Sequence, residues 1–298
     1  MTFGKEKVLS FEFFPPRNMK EFDRLKESCR LLAPYSPNFI SFTDGAGGSK
    51  NRDIIEAVKI VREHLDTEIV AHITSCDKQK GDVDKIINNY LEENIDSFLI
   101  IRGYCPTNEF LIDLDEIEDE IHTEFKHSSD LIEYIKTKNI KRIGFGAFPA
   151  GHPEDKNKED TLSTFKKKVE AGGSFSATQL FFDLNEYKTL YKEIREFDET
   201  TPIYAGIMPL VSLVQAERFA EVCDIELPQK LREGFLNCKS KEEERDFGLS
   251  YISDLCDALI ENNADGLHFY TLNRAGPFIE IETKMKTLNL SKTSELSG

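Results

Sequence analysis

Eight short apolar runs recur along the chain, at 8–13, 39–43, 69–73, 97–101, 143–148, 177–182, 203–208 and 266–270. Each is rich in β-branched or aromatic residues. Each is also continuous rather than alternating, the pattern of a strand covered on both faces. Between them the apolar positions change period. Residues 53–65 place Ile54, Ala57, Val58, Val61 and Leu65 on one helical face, and 84–92 do so with Ile87, Tyr90 and Leu91. The same spacing returns in 161–171 with Leu162, Phe165 and Val169, and in 247–262 with Ile252, Leu255, Leu259 and Ile260. Gly or Asn closes several helical stretches before the next strand, as in Ala171-Gly172-Gly173 and Asn262-Asn263. Eight strand-then-helix units predict an α/β fold of the (β/α)8, or TIM, barrel type, with residues 1–298 as a single domain. A doubly wound sheet would favour a glycine-rich turn after the first strand, whereas the turn here is Phe13-Phe14-Pro15-Pro16.

Two connections are long. The acidic stretch 107–127 carries Leu111, Leu114, Ile117, Ile121 and Phe125 at helical spacing and predicts an extra helix outside the barrel. Residues 210–237 predict two short helices. The tail 286–298 is polar and is expected to fray.

The 298 residues are 39 % hydrophobic and 10 % aromatic, enough to fill a large core. With 38 Lys and Arg against 54 Asp and Glu, the net charge is −16. That balance argues against a nucleic-acid or anionic-membrane partner, which rewards a basic face. No apolar run approaches the ~20 residues of a membrane span. Met1-Thr2-Phe3-Gly4-Lys5 lacks the apolar core of a signal peptide, and the six cysteines show no C-x-x-C spacing. A cytoplasmic protein with free, mostly buried thiols is expected. Lys166-Lys167-Lys168 is the only basic triplet and reads first as a solvated helix face.

In a (β/α)8 barrel, chemistry sits at the carboxyl ends of the strands. The polar residues falling there are Glu12, Thr43, Asp44, His72, Thr74, Arg102, Tyr104, His152, Gln179, Asp183, His268, Tyr270 and Arg274. Glu12 stands out because a carboxylate among Phe11, Phe13 and Phe14 is costly to bury without a partner or a proton. His72 and His268, taken singly, also read as core histidines bonded to backbone. Glu12, Asp44, His72 and His152 offer metal-ligand chemistry, but no H-x-H or H-x-x-E spacing supports it, and no metal is expected.

Ser10-Phe11-Glu12-Phe13-Phe14-Pro15-Pro16-Arg17 resembles the opening motif of the 5,10-methylenetetrahydrofolate reductases. Also similar to that family, and in family order, are Phe39-Ile40-Ser41-Phe42-Thr43, Ala71-His72-Ile73-Thr74, Ile101-Arg102-Gly103 and Pro149-Ala150-Gly151-His152-Pro153-Glu154. So are Thr178-Gln179-Leu180-Phe181-Phe182-Asp183, Pro202-Ile203-Tyr204-Ala205-Gly206-Ile207-Met208-Pro209 and Gly266-Leu267-His268-Phe269-Tyr270-Thr271-Leu272-Asn273-Arg274. The resemblance implies a (β/α)8 barrel and an FAD enzyme of one-carbon metabolism. NADH or NADPH reduces the flavin and leaves, and the folate then takes the hydride at the same site, which gives ping-pong kinetics. The chain ends too soon for the regulatory domain of eukaryotic members, and a homo-oligomer is one assembly compatible with such barrels.

By the resemblance, Glu12 is the general acid that protonates N10 and opens the folate's five-membered ring. The aromatic setting is expected to raise its pKa for that task. Gln179 matches the residue that bonds the pterin edge, and Arg274 matches a folate-side contact. Thr43, Ala46, His72, Arg102, Gly103, Ser128, Phe148, His152, Lys167 and Lys168 match flavin contacts, the two lysines facing the pyrophosphate.

The chain departs from the family where Tyr104 follows Arg102-Gly103 in place of an aspartate. A carboxylate beside a flavin disfavours its anionic reduced form, so its loss makes a flavin easier to reduce and a poorer hydride donor. Asp44 stands where the family often has an aromatic, and is expected to replace that carboxylate in part; Asp44 and Tyr104 are counted with the substrate contacts, and Tyr104 with the flavin contacts as well. Phe148 stands for a common tyrosine, and Thr161 and Thr164 for Asp and Asn at the adenosine end, with Asp160 adjacent. The alternative reading is a flavin-independent or non-catalytic folate-binding barrel.

Overall fold

The eight runs become eight parallel strands of a closed barrel, β1 to β8 in chain order round the ring, in a computed structural model that describes residues 7–44, 51–76, 78–103, 124–153 and 155–287. The strands are β1 (Val8–Phe13), β2 (Phe39–Phe42), β3 (Glu68–Thr74), β4 (Ser97–Ile101), β5 (Arg142–Ala147), β6 (Phe175–Thr178), β7 (Ile203–Ile207) and β8 (Gly266–Tyr270). Around them lie α1 (Met19–Leu32), α2 (Asn51–His64), α3 (Lys80–Glu92), α4 (Ser128–Ile135), α5 (Lys158–Ala171), α6 (Leu184–Arg195), α7 (Leu213–Val222), α8 (Gln229–Leu236), α9 (Lys241–Glu261) and α10 (Gly276–Lys284). Many helices start on a side chain that takes up an otherwise unpaired amide. Asn18 accepts from Glu21, Asn157 from Asp160, Asp183 from Asn185, Ser212 from Gln215 and Ser240 from Glu243.

Alternation along each strand divides the apolar residues into two populations. Leu9, Phe11, Phe13, Ile40, Phe42, Ala71 and Ile73 point outward and pack under the helices. Phe39, Val70, Leu99, Phe175, Ala177 and Tyr204 point inward and plug the barrel. Phe39, Phe175 and Tyr204 meet at 5.7–5.8 Å, and the Arg142 guanidinium lies 4.5 Å from the Phe175 ring centre. Above that plug the inward positions turn polar, which places the chemistry at the mouth formed by the strands' C-terminal ends.

Two expectations change. β6 ends at Thr178, so Leu180, Phe181 and Phe182 lie beyond it. They are buried nonetheless, Phe181 stacking on Tyr187 at 5.6 Å, so an apolar run here marks a loop pressed into the core. Cys29, Cys223, Cys238 and Cys256 are free thiols, but Cys76 is disulfide-bonded, which corrects the expectation of free cysteines throughout. Cys76 follows β3 at the mouth, where loops distant in sequence come together. Residues 107–123 of the expected acidic helix and 288–298 of the tail lie outside the described residues. The stretch 210–237 holds α7 and α8, as the spacing predicted. Among the described residues no helix is long and apolar enough to cross a membrane.

Candidate active site

The sheet register sets Glu12 of β1 between Ser41 of β2 and Tyr270 of β8. Strand alternation turns Glu12 into the barrel, while Phe11 and Phe13 turn away from it. Phe11 packs on Phe278 at 4.7 Å and Phe13 on Phe42 at 6.3 Å, both under the helices. The expectation that aromatic rings raise the Glu12 pKa is therefore corrected: the carboxyl's neighbours are histidines. Its Oε2 lies 3.5 Å from Nε2 of His72 and 3.5 Å from Nε2 of His268. Burial pushes the Glu12 pKa up, but the charge on His72 and the hydrogen bond and charge of His268 outweigh it, and the net direction is downward. His72 is itself buried, and burial lowers its pKa against the opposing pull of Glu12. The downward pull on Glu12 comes from its two histidine neighbours, so its acidity belongs to the cluster rather than to the carboxyl alone.

His268 is fully buried and fixed on three sides. Its Nδ1 lies 2.8 Å from Ser10 Oγ, its ring stacks 5.6 Å from Phe39, and Tyr270 meets it edge-on at 5.4 Å. With the Ser10 hydroxyl donating to Nδ1, the neutral ring carries its proton on Nε2, facing Glu12. The Tyr270 hydroxyl donates to the Thr178 carbonyl at 2.5 Å, and burial together with the Glu12 charge pushes its pKa well up. That approach requires a glycine at 206, where a Cβ would lie 2.8 Å from the tyrosine oxygen and 2.2 Å from the Thr178 carbonyl oxygen.

At the ends of β2 and β3, Asp44 Oδ2 accepts from the Thr74 amide at 3.1 Å, from Thr74 Oγ1 at 3.0 Å and from Lys78 Nζ at 3.0 Å. Its charge is thus matched locally by an ammonium. Gly103 packs against Thr74 with φ +80°, and a Cβ there would lie 2.7 Å from Thr74 Cγ2, so glycine after Arg102 is a steric requirement. Thr43 Oγ1 and both ring nitrogens of His72 are buried without a hydrogen-bond partner among the described residues. Buried polar atoms without a partner are uncommon, and three of them stand here at adjacent strand ends.

On the β4–β5 side, a cavity of about 440 Å³ is lined by Arg102, Ser128, Phe148, His152, Lys167 and Lys168. A neighbouring cavity of about 530 Å³ shares Phe148 and His152 and extends to Asn185 and Glu186 at the start of α6. Six of the expected flavin contacts therefore converge on one hollow. The basic triplet splits: Lys166 and Lys167 are exposed, while Lys168 lies on the buried face of α5 with Thr161 and Phe165. Lys168 Nζ donates to the Gly146 carbonyl at 2.9 Å and sits 5.4 Å from the Phe148 ring centre. Burial pushes its pKa down to about 8, against the attraction of Asp155. Asp155 Oδ2 accepts from the His152 amide at 3.1 Å and the Thr161 hydroxyl at 2.5 Å, which fixes the loop that carries His152. Asp160 accepts from the Lys156 amide at 3.0 Å. A buried cation, unpartnered polar atoms at neighbouring strand ends and a hollow of this size fit an anionic dinucleotide cofactor such as FAD.

Gln179 follows β6 with its Oε1 accepting from the next amide, Leu180, at 2.9 Å. Arg274 is exposed in the loop after β8. Ala46 and Tyr104 lie outside the described residues. Among the described residues no three His, Cys, Asp or Glu side chains converge as metal ligands. Sequence reasoning placed His268 and Tyr270 among the strand-end candidates without a chemical role, and passed over Ser10 and Asn273. The signal for three of them was strand parity, since Ser10, His268 and Tyr270 share the inward side with Glu12.

The model of the family described as methylenetetrahydrofolate reductase matches residues 2–286. A relative from Escherichia coli K12 named 5,10-methylenetetrahydrofolate reductase is 28 % identical over 90 % of this chain and 86 % of its own length. A protein of Caenorhabditis elegans named a probable methylenetetrahydrofolate reductase (NADPH) is 28 % identical over 97 % of this chain, which spans 43 % of that longer protein. Among solved structures, an uncharacterized Clostridium thermocellum protein that binds two copies of 5-methyl-5,6,7,8-tetrahydrofolic acid superposes with a TM-score of 0.61. It covers 93 % of each chain at 13 % identity, a likeness of fold.

Proposed function

The chain belongs to the methylenetetrahydrofolate reductase family, and from that premise we propose that it reduces 5,10-methylenetetrahydrofolate to 5-methyltetrahydrofolate with electrons from a nicotinamide nucleotide passed through FAD. The observation that carries this reading is Glu12, a carboxyl turned into the barrel mouth within 3.5 Å of two buried histidines. A barrel that only bound folate would gain nothing from that cost.

Bound FAD supplies a hydride acceptor and donor, which separates the reaction into two half-reactions at one place. The chain's own residues hold the reactants and manage one proton. Glu12 delivers it to N10 of the folate, which opens the five-membered ring to the cation that receives hydride. The Glu12–His72–His268 cluster holds that proton near the reacting nitrogen, and Ser10 keeps the His268 ring in register. Gln179 offers a donor and an acceptor to the pterin edge. Arg102, Ser128, Phe148, His152, Lys167 and Lys168 hold the dinucleotide. Lys168 would neutralise its pyrophosphate, an anion that offsets the cost of the buried ammonium. Thr43, His72 and Gly103 would hold the ring system from the ends of β2, β3 and β4. Asp44 orders Thr74 and Lys78 beside them.

Glu12→Gln tests the assignment because it removes the proton and keeps the shape. Rapid mixing should show folate reduction slowed by about 10²-fold or more, the usual size of a general-acid contribution. Reduction by NADH or NADPH should stay within about threefold, since that half-reaction moves no proton to the folate. Equal loss of both half-reactions would remove Glu12 from this role.

A further inference from the structure

Glu12 stands at the last paired position between β1 and β8, opposite Tyr270. Regular pairing cannot go far beyond it, because Pro15 and Pro16 have no amide to donate. The loop after β8 nevertheless ties this strand end down. The Thr271 hydroxyl and amide both donate to the Glu12 carbonyl, at 2.7 and 3.2 Å. The Asn273 side chain accepts from the Phe14 amide at 2.7 Å and donates to the Phe14 carbonyl at 3.0 Å. One side-chain amide thus takes both backbone bonds that a neighbouring strand would make. It can do so because the loop turns sharply: the Arg274 amide donates to the Thr271 carbonyl at 2.9 Å, and Leu272 and Asn273 between them take φ of 49° and 58°. Asparagine enters that left-handed region more readily than leucine, and the turn persists because its surroundings hold it. The Asn273 amide donates to the Thr271 hydroxyl at 3.1 Å, and the Ala275 amide donates to Ser28 Oγ of α1 at 3.2 Å. On the other edge of β1, the Thr43 amide donates to the Phe13 carbonyl at 3.1 Å.

Resting on the reading that Glu12 protonates N10, we propose that Thr271 and Asn273 are positioning residues for that proton transfer: they clamp the backbone at and beyond Glu12 so that its carboxyl stays centred between His72 and His268. The geometry leaves little room for play. A single oxygen, Oε2, faces both Nε2 atoms at 3.5 Å, beyond the usual span of such hydrogen bonds. A reacting group has to be held within about 0.5 Å of its productive place. A slip of that size would carry the carboxyl onto one ring and away from the other. His268 is already fixed by Ser10 and Phe39, so the place of the β1 backbone decides where the carboxyl meets it. Phe14 is the last residue of this segment with an amide before the two prolines, and Asn273 binds that amide. The clamp therefore serves the folate half-reaction, which needs the proton, and not the reduction of the flavin by the nicotinamide.

The test is Asn273→Gly in the FAD-loaded protein, because glycine accepts the left-handed backbone and removes the side-chain bonds. Rapid mixing at saturating methylenetetrahydrofolate should show reoxidation of the reduced flavin slowed about 10- to 100-fold, the scale of a small misplacement. Reduction of the flavin by NADH or NADPH should stay within about threefold of the wild type. Thr271→Val, which loses the hydroxyl at nearly constant shape, should slow the same step, and Thr271→Ser, which keeps the hydroxyl, should restore it. Equal loss of both half-reactions in Asn273→Gly would mark a structural role alone and overturn the proposal. So would an unchanged rate of reoxidation. A deficit that saturating folate removes would belong to binding through the neighbouring Arg274, and would overturn it too. A wild type whose reduced flavin the folate does not reoxidise would instead refute the folate-reductase reading on which the proposal rests.

Discussion

Lys168 is the residue whose energetics speak most directly about a missing partner. An unfolded lysine titrates near ~10.4, and burial brings Lys168 down to about 8. Between those two pH values this group is protonated in the unfolded chain and not in the folded one, so its contribution to stability rises with pH across that window. Below pH 8 the full cost of the buried ammonium is present, on the order of 3 kcal/mol. A pyrophosphate brought beside it removes the cost. In denaturant unfolding of the cofactor-free proteins, Lys168→Met should therefore be more stable than the wild type by ~1–3 kcal/mol at pH 7, and that difference should shrink from pH 8 to 10. FAD should stabilise the wild type more than the variant. A difference between variant and wild type that does not change with pH would contradict the account of this lysine. The role was half legible in the sequence. Three adjacent lysines do not announce which one turns inward, yet Thr161, Phe165 and Lys168 stand at the four- and three-residue steps of one helix face.

At the scale of elements, the site depends on how β6, β7, β8 and β1 are pressed together. Tyr270 reaches across β7 to the Thr178 carbonyl, and Gly206 is the space it crosses. Gly206→Ala should cost about 1–3 kcal/mol in urea unfolding, because backbone and a buried ring must both shift. It should slow folate turnover, since Tyr270 also braces His268. An unchanged midpoint would show that the strands yield more easily than this packing implies. The apolar periods located all eight strands, because strands buried on both faces have no polar side to disguise them. They misplaced the end of β6, because Leu180-Phe181-Phe182 is as apolar as a strand and is buried for another reason. They also gave Glu12 the wrong neighbours. Adjacent residues on a strand point apart, so the phenylalanines that flank Glu12 in sequence are the side chains least able to touch its carboxyl.

The whole barrel converts scattered positions into one mouth. Glu12, His72 and His268 are separated by up to 256 residues in sequence and by 3.5 Å in space, and only closure of β8 against β1 brings them together. The sequence pattern foretold which strand ends carry polar groups, and the family motifs suggested roles for them. Neither could foretell the clamp of Thr271 and Asn273 on β1, which rests on hydrogen bonds between loops and on two residues in left-handed conformation. The account as a whole claims one site serving two half-reactions. Its most direct test is the visible spectrum of the purified protein, supplied with FAD and mixed without oxygen, first with NADH or NADPH and then with methylenetetrahydrofolate. The account predicts a flavin band that bleaches with one of the nucleotides and returns with the folate as 5-methyltetrahydrofolate forms. A protein that takes up no FAD, or whose bleached band the folate does not restore, would contradict it.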